Sequence, residues 1–250
     1  IEVPIQSMQW ITANLYNCGG THPKKGAQLS VQAGSALLEL LKNPKPEDWV
    51  SKDRMKEYAD KPDEINRLIG AVKDRILFET ASGAFWSEDY QGCVKLLDEC
   101  LNSKTTRYLF DGKFLRAQAY KALKRTDDVV KNYVEIITDS SFGPRKSDTV
   151  YFKAQCMLGE LYIEMNDFNK AYNSFAILSL TDPTEETATT KSASPEELKE
   201  QKEYLETAFY KTAFCLAKLG RKDEAEKFVE KYKKYFPTGK YLKDIQNLPE

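Results

Sequence analysis

The sequence predicts an all-α chain of stacked antiparallel helix pairs, on three observations. Between Tyr151 and Pro183 a helix-turn-helix pattern places residues of graded size at fixed positions. Leu158, Gly159 and Tyr162 fall on the first helix, Asp167 and Phe168 at the turn, Ala171 and Phe175 on the second helix, and Pro183 closes it. The pattern recurs along the chain, and few runs alternate β-branched residues, so essentially no sheet is expected. Two antiparallel helices approach closely only where small side chains sit at the crossing, here Gly159 and Ala171. Leu158, Tyr162 and Phe175 supply apolar area at roughly 25 cal/mol per Å² buried, and Pro183 cannot continue a helix. One such pair has too little core to stand alone, so several must stack.

Taken in order, Ile5 to Asn17 and Gln28 to Lys42 both show helical apolar spacing. Trp10, Ala13 and Tyr16 mark the first; Ala33, Leu37, Leu40 and Leu41 mark the second. The N-terminal segment, residues 1–62, is either a degenerate repeat, with Cys18 to Gly26 as a long insertion in its turn, or a capping helix pair. Pro44, Pro46 and Pro62 bracket a short irregular or helical piece around Trp49 to Ala59, and Pro62 starts a long helix reaching Trp86. Residues 63–250 hold four units, at about 74–107, 110–143, 152–185 and 206–239.

The first unit sets Ala81, Ala84, Cys93 and Leu97 in register, with Glu88-Asp89-Tyr90 as its turn. In the second, Ala117, Tyr120, Val129 and Tyr133 take the same slots around a turn at Arg125 to Asp128, without a closing proline. The fourth has Ala213, Leu216, Ala225, Val229 and Pro237, with Gly220 to Glu224 as the turn. Equivalent positions lie 36 residues apart from Cys93 to Val129, 42 from Val129 to Ala171 and 54 from Ala171 to Ala225, so insertions fall between units, near 138–148 and 184–194. Ser140-Ser141-Phe142-Gly143-Pro144 is turn chemistry, and the Thr/Ser/Glu-rich stretch from Thr184 to Ser194 predicts an exposed loop. Ser194, Pro195 and Glu197 then supply N-cap, first-turn proline and capping-box acid, so the next helix begins early and runs long.

This register resembles the tetratricopeptide repeat (TPR), whose period is about 34 residues. The resemblance implies a right-handed superhelix whose inner helices line a concave groove, and binding as its work. The groove positions it assigns are Arg75, Phe78, Ser82, Phe85 and Trp86, then Asp111, Phe114, Gln118 and Lys121. Lys153, Cys156, Glu160, Ile163 and Glu164 follow, and finally Tyr210, Phe214 and Lys218. The partner-binding candidates are Arg75, Phe78, Phe85, Trp86, Phe114, Gln118, Lys121, Lys153, Glu160, Tyr210, Phe214 and Lys218, for a peptide or helix of another protein. The competing reading packs some rings, Phe78 and Phe114 above all, between neighbouring units. Chaperone-binding members resemble one another in a clamp of lysines and asparagines for a C-terminal carboxylate. The equivalent pairs here, Phe78/Ser82, Phe114/Gln118 and Cys156/Glu160, lack it. The aromatic-proline-x-small-x-aromatic string from Phe236 to Tyr241 is similar to repeat ends of bacterial envelope proteins, such as the Tol-Pal accessory coordinator and outer-membrane assembly lipoproteins.

Composition narrows the function further. Lys+Arg number 37 against 38 Asp+Glu, for a net charge of -1, which argues against a nucleic-acid surface. The lysines at 231, 233, 234, 240 and 243 read as a solvated helix face. No apolar run approaches the roughly 20 residues that span a membrane. Of five cysteines, Cys93, Cys100 and Cys215 fall at buried positions as free thiols, whereas Cys18 and Cys156 are less constrained and a disulfide is open. His22, the one histidine, reads as a loop residue without a second histidine to complete a metal site. Phosphate-loop, dinucleotide and nucleophile-elbow motifs are missing, so no enzyme, cofactor, metal or small-molecule substrate is expected. The chain begins at Ile1, which reads as a processed or excised piece, and any signal peptide or lipid attachment would lie upstream. The expectation is a non-catalytic protein-interaction scaffold, periplasmic or cell-envelope associated. The alternatives are a cytoplasmic adaptor or regulator, and a structural spacer in a longer polypeptide.

Overall fold

The computed structural model describes residues 23–42, 61–103, 106–139, 149–184 and 194–248. Among the described residues there are ten α-helices and no strand: α1 (Pro23–Leu40), α2 (Pro62–Trp86), α3 (Tyr90–Leu101), α4 (Leu109–Ala122), α5 (Thr126–Ile137), α6 (Thr149–Glu164), α7 (Phe168–Leu178), α8 (Pro195–Lys218), α9 (Lys222–Tyr235) and α10 (Leu242–Gln246). The chain divides into two compact units, Ile1–Asn132 and Tyr133–Glu250. The expectations for Ile5 to Asn17, Cys18, His22, Trp49 to Ala59 and most of both insertions lie outside the described residues.

One turn geometry is repeated four times. Glu88, Lys124, Asn166 and Gly220 are left-handed, with φ of 69°, 59°, 59° and 72°. After each, the next N–H reaches back over the helix end: Asp89 to Ala84 O and Arg125 to Tyr120 O at 2.9 Å, Asp167 to Tyr162 O at 2.8 Å, Arg221 to Leu216 O at 2.9 Å. This is a Schellman closure, which satisfies carbonyls the helix end leaves open. The closing residue also opens the next helix. Asp89 and Asp167 accept the N–H of Gly92 and Lys170 at 2.9 and 3.1 Å, while Arg125 and Arg221 instead donate Nε to Asp128 and Glu224, both at 2.7 Å. The Lys170 ammonium and N–H hold the Asp167 carboxyl below its usual range. A left-handed conformation costs an L-residue about 1–2 kcal/mol. Gly220→Ala is therefore expected to lower stability by about 1 kcal/mol, and Lys124→Gly to raise it by about 0.5 kcal/mol, the gain reduced by the entropy glycine adds to the unfolded chain. Urea unfolding midpoints check both.

In the first compact unit α1 lies along α2, which packs in turn on α3. The buried face of α1 is Ala27, Ser30 and Leu37, continued by Leu41 just past its end. Leu40, expected on that face, is 57% exposed, because the face follows the small residues at 27, 30 and 34. The helix also starts at Pro23, five residues before the periodicity suggested. Gly34 marks the closest crossing: a Cβ there would lie 1.9 Å from Thr80 Oγ1, and Thr80 is fully buried with its hydroxyl donating to Ile76 O at 2.6 Å. Beyond it Ala81, Ala84, Cys93, Val94, Leu97 and Ala119 form the interior between α2, α3 and α4. Asn132, buried on α5, accepts Arg116 Nε at 2.8 Å and donates to Lys113 O, tying the start of α5 to α4.

The second compact unit is built on α8. Ser194 caps it with a reciprocal capping box: its Oγ accepts Glu197 N at 3.2 Å, and Glu197 accepts Ser194 N at 2.7 Å, with Pro195 in the first turn. Residues 194–200 are exposed. From Gln201, whose amide donates to Thr149 Oγ1 at 2.9 Å, the helix turns its apolar face inward. Leu205, Ala208, Phe209, Ala213 and Cys215 join Phe152, Ala171, Phe175, Tyr232 and Ile245 in one core. The crossing of α6 and α7 is set by Gly159, whose missing side chain leaves room for the fully buried Phe175 ring.

Candidate protein-binding site

Three partner-binding candidates of the second compact unit, Tyr210, Phe214 and Lys218, share one side of α8 at the margin of its core, against which both rings pack. Tyr210 and Phe214 are one helical turn apart, so both rings project from the same side. Neither is sealed inside: both are half-buried, with centroids 6.4 Å apart. The row extends in both directions. Tyr241 stacks on Tyr210 at 4.4 Å and 11°, and Phe168, at the start of α7, meets Phe214 edge-on at 6.2 Å. Four rings from three elements therefore form one aromatic surface.

Lysines border this surface. Lys211 Nζ lies 5.6 Å from the Tyr210 centroid and 5.7 Å from that of Phe214, Lys218 is 5.6 Å over Phe214, and Lys240 is 4.8 Å over Tyr241. At these distances the ring quadrupole attracts the ammonium, each exposed contact worth about 0.5–1 kcal/mol. Burial, then Asp244 and Tyr241, raises the Tyr210 phenol above its ordinary pKa, so the ring is a neutral hydrogen-bonding group at physiological pH.

The place of Tyr241 is fixed from below. Glu206 on α8 accepts Tyr232 Oη at 2.6 Å and Lys240 N at 2.5 Å, and Tyr232 Oη accepts Tyr241 N at 2.9 Å. Gly239 passes so close that a Cβ would lie 2.3 Å from Tyr232 Oη and 2.5 Å from Glu206 Oε1. Phe236 is buried 5.6 Å from Phe209, anchoring the other end. The string from Phe236 to Tyr241 thus has a local physical meaning: buried ring, turn, close approach, stacked ring.

On α6 the candidates are more scattered. Glu160 is exposed, and with Glu164 it borders Tyr133, whose phenol is pushed up to about 12 by burial and then by these two carboxylates. Lys153 is half-buried near the start of the helix. Cys156, expected beside Glu160, is buried and free, its thiol donating to Tyr204 O at 3.6 Å. The free, buried Cys93, Cys100 and Cys215 are pushed up to about 12, 11 and 12 by burial, so none presents a thiolate.

In the first compact unit Phe85 packs edge-on against Trp86 and Tyr90, both at 5.5 Å, and Trp86 is 55% exposed. Phe78 is half-buried and stacks on Tyr108 at 4.6 Å and 12°. Gln118 and Lys121 are exposed on α4, and Arg75 is half-buried on α2. Phe114 needs correction as a groove residue: it is only 6% exposed, so its ring belongs to the interior. The sequence reading missed Phe168, Lys211, Lys240 and Tyr241. Phe168 was absorbed into the turn, and Tyr241 lies beyond the last helix pair, although the closing aromatic of its string was a usable signal. Among the described residues no helix is long and apolar enough to cross a membrane, and no group of three or more His, Cys, Asp or Glu side chains is placed to hold a metal ion.

Comparison with known proteins agrees with this architecture. Residues 207–239 match the family model described as Tetratricopeptide repeat. Two crystal structures of nearly identical TPR-like repeats of a putative kinesin light chain from Podosopora anserina, one of them a variant, are similar to the chain. The first has a TM-score of 0.53 at 14% identity, covering 96% of this chain and 99% of that one. The second has 0.52 at 14% identity, covering 94% and 97%. Identity this low carries the fold and nothing finer. Curated proteins give no match. The chain thus has the all-α fold of TPR-like stacked helix pairs, with a tetratricopeptide repeat matched at residues 207–239.

Proposed function

We propose that the chain is a non-catalytic scaffold that captures a peptide or helical segment of a partner protein on the aromatic face of α8. TPR repeats generally mediate protein–protein interaction, and the TPR-like fold is typically a scaffold. The observation that carries the reading for this chain is the row Phe168, Phe214, Tyr210 and Tyr241 with Lys211, Lys218 and Lys240 at its edge. Rings already held by stacking lose little freedom on binding, and aromatic anchors commonly dominate interface energies.

A place in bacterial cell-envelope assembly or maintenance, periplasmic or envelope-associated, is part of the proposal and rests on the Phe236 to Tyr241 string. A cytoplasmic adaptor would use the same surface; fractionating cells that express the native gene separates the two. A structural spacer predicts no partner at all. Capture from the native extract followed by mass spectrometry, comparing the wild type with Tyr210→Ala/Phe214→Ala, tests the function directly. The expected result is a protein retained by the wild type and lost from the variant, with Trp86→Ala as a parallel variant in the first compact unit. Equal recovery by the wild type and the α8 variant would sink the proposal.

A further inference from the structure

The first compact unit carries a second feature, chemically unlike the aromatic face and outside that reading. Along one side of α2, Arg67, Gly70, Ala71, Asp74 and Arg75 face Thr106, Arg107 and Tyr108 of the α3–α4 connection across a cleft of about 790 Å³. We propose that this cleft is a recognition site for an acidic peptide segment, gripped by Arg75 and Arg107.

Charge is the first argument. The lining holds three guanidinium groups and one carboxylate, in a chain whose net charge is -1, so the local excess does not follow from composition. Arg67 is partly engaged by Glu64, at 3.1 Å. Arg75 takes part in none of the ion pairs or hydrogen bonds among the described residues, although it is half-buried. Among the described residues Arg107 interacts with its neighbour alone, lying 4.8 Å over the Tyr108 ring and donating to Tyr108 Oη at 2.5 Å. Asp74, the one carboxylate of the lining, is 8% exposed. A guanidinium at the cleft without a carboxylate partner among the described residues is poised for one, because its planar fork binds carboxylate oxygens in pairs.

Rigidity is the second. Tyr108 is clamped by its stack on Phe78, and its N–H donates to Thr106 Oγ1 at 3.3 Å. Thr106 is itself buried, 3.9 Å from Cys100 Sγ, and that thiol donates to Asp74 O at 3.4 Å. The two sides of the cleft are therefore tied together beneath its floor. Size decides the class of ligand: a volume in the range that accepts ligands of about 300–1,000 Å³ leaves a lone inorganic anion poorly surrounded, whereas an acidic side chain with its neighbours fills it. Val72, Ala71 and the Tyr108 ring supply apolar contact for those neighbours.

The test is fluorescence anisotropy of rhodamine-labelled octaglutamate titrated with the whole chain. Wild type is expected to bind it, more weakly as salt rises. Arg75→Gln/Arg107→Gln is expected to weaken binding about tenfold or more, and Arg107→Gln alone, at an exposed side chain, to weaken it with circular dichroism unchanged. Tyr210→Ala/Phe214→Ala is expected to leave it unchanged, which separates this site from the aromatic face. Equal affinity of the arginine variants, no binding by wild type, displacement by inorganic phosphate, or loss only on changing Lys211, Lys218 and Lys240 would each overturn the proposal.

Discussion

Gly159→Ala is expected to lower the stability of the second compact unit by about 1–3 kcal/mol, the usual cost of overpacking a tight core. The added Cβ would lie 2.5, 2.6 and 2.9 Å from Cζ, Cε2 and Cε1 of Phe175, closer than real carbon contacts come. Phe175 cannot retreat, since it is fully buried in a core with Phe209, Tyr232 and Leu178. The clash predicts a specific rescue. Phe175→Leu alone leaves a void and destabilises, but in the Gly159→Ala background it removes the colliding ring atoms. The double variant is therefore expected to be more stable than the sum of the single changes allows, a coupling read from a double-mutant cycle in urea. Additive losses would mean that Gly159 and Phe175 do not set this crossing.

Glu206→Ala is expected to cost about 1.5–3 kcal/mol, the range for hydrogen bonds to a charged acceptor. It removes the acceptor of Tyr232 Oη and Lys240 N, and so frees the segment that carries Tyr241. Gly239→Ala attacks the same knot sterically, through Tyr232 Oη and Glu206 Oε1. Both variants are expected to become sensitive to limited proteolysis between Phe236 and Leu242 and to lose the near-ultraviolet signal of the Tyr210–Tyr241 stack. Resistance equal to wild type would show that the stack holds without its anchor.

Legibility followed the locality of the cause. The start of α2 at Pro62, its end at Trp86 and the capping box at Ser194 were readable because each depends on residues a few positions apart. The spacings of 36, 42 and 54 residues reappear in the left-handed residues at 88, 124, 166 and 220. Asn166 and Gly220 announce that conformation, but Glu88 and Lys124 do not, because there helix packing imposes it against local preference. The start of α1 was hidden because glycines suggest a loop, whereas Gly26 lies buried inside the helix.

The site shows the same division. Tyr210, Phe214 and Lys218 share a helix face, and the repeat resemblance named them because it assigns groove positions along one helix. Lys211 was overlooked because it sits beside that stripe, and Phe168 and Tyr241 because folding brings them from other elements. Phe114 occupies a groove position in the repeat pattern, yet its large apolar ring is worth more inside than in water.

The central claim is that the aromatic face of α8 is a peptide-binding surface. It is tested most directly by selecting binders from a random displayed-peptide library on the whole chain and measuring their affinity by titration calorimetry. The account predicts that selected peptides bind wild type and lose about tenfold or more with Tyr210→Ala/Phe214→Ala, a loss of at least about 1.4 kcal/mol, while the variant keeps its helical circular dichroism. No enrichment, or selected peptides that bind the folded variant as tightly as wild type, would contradict it.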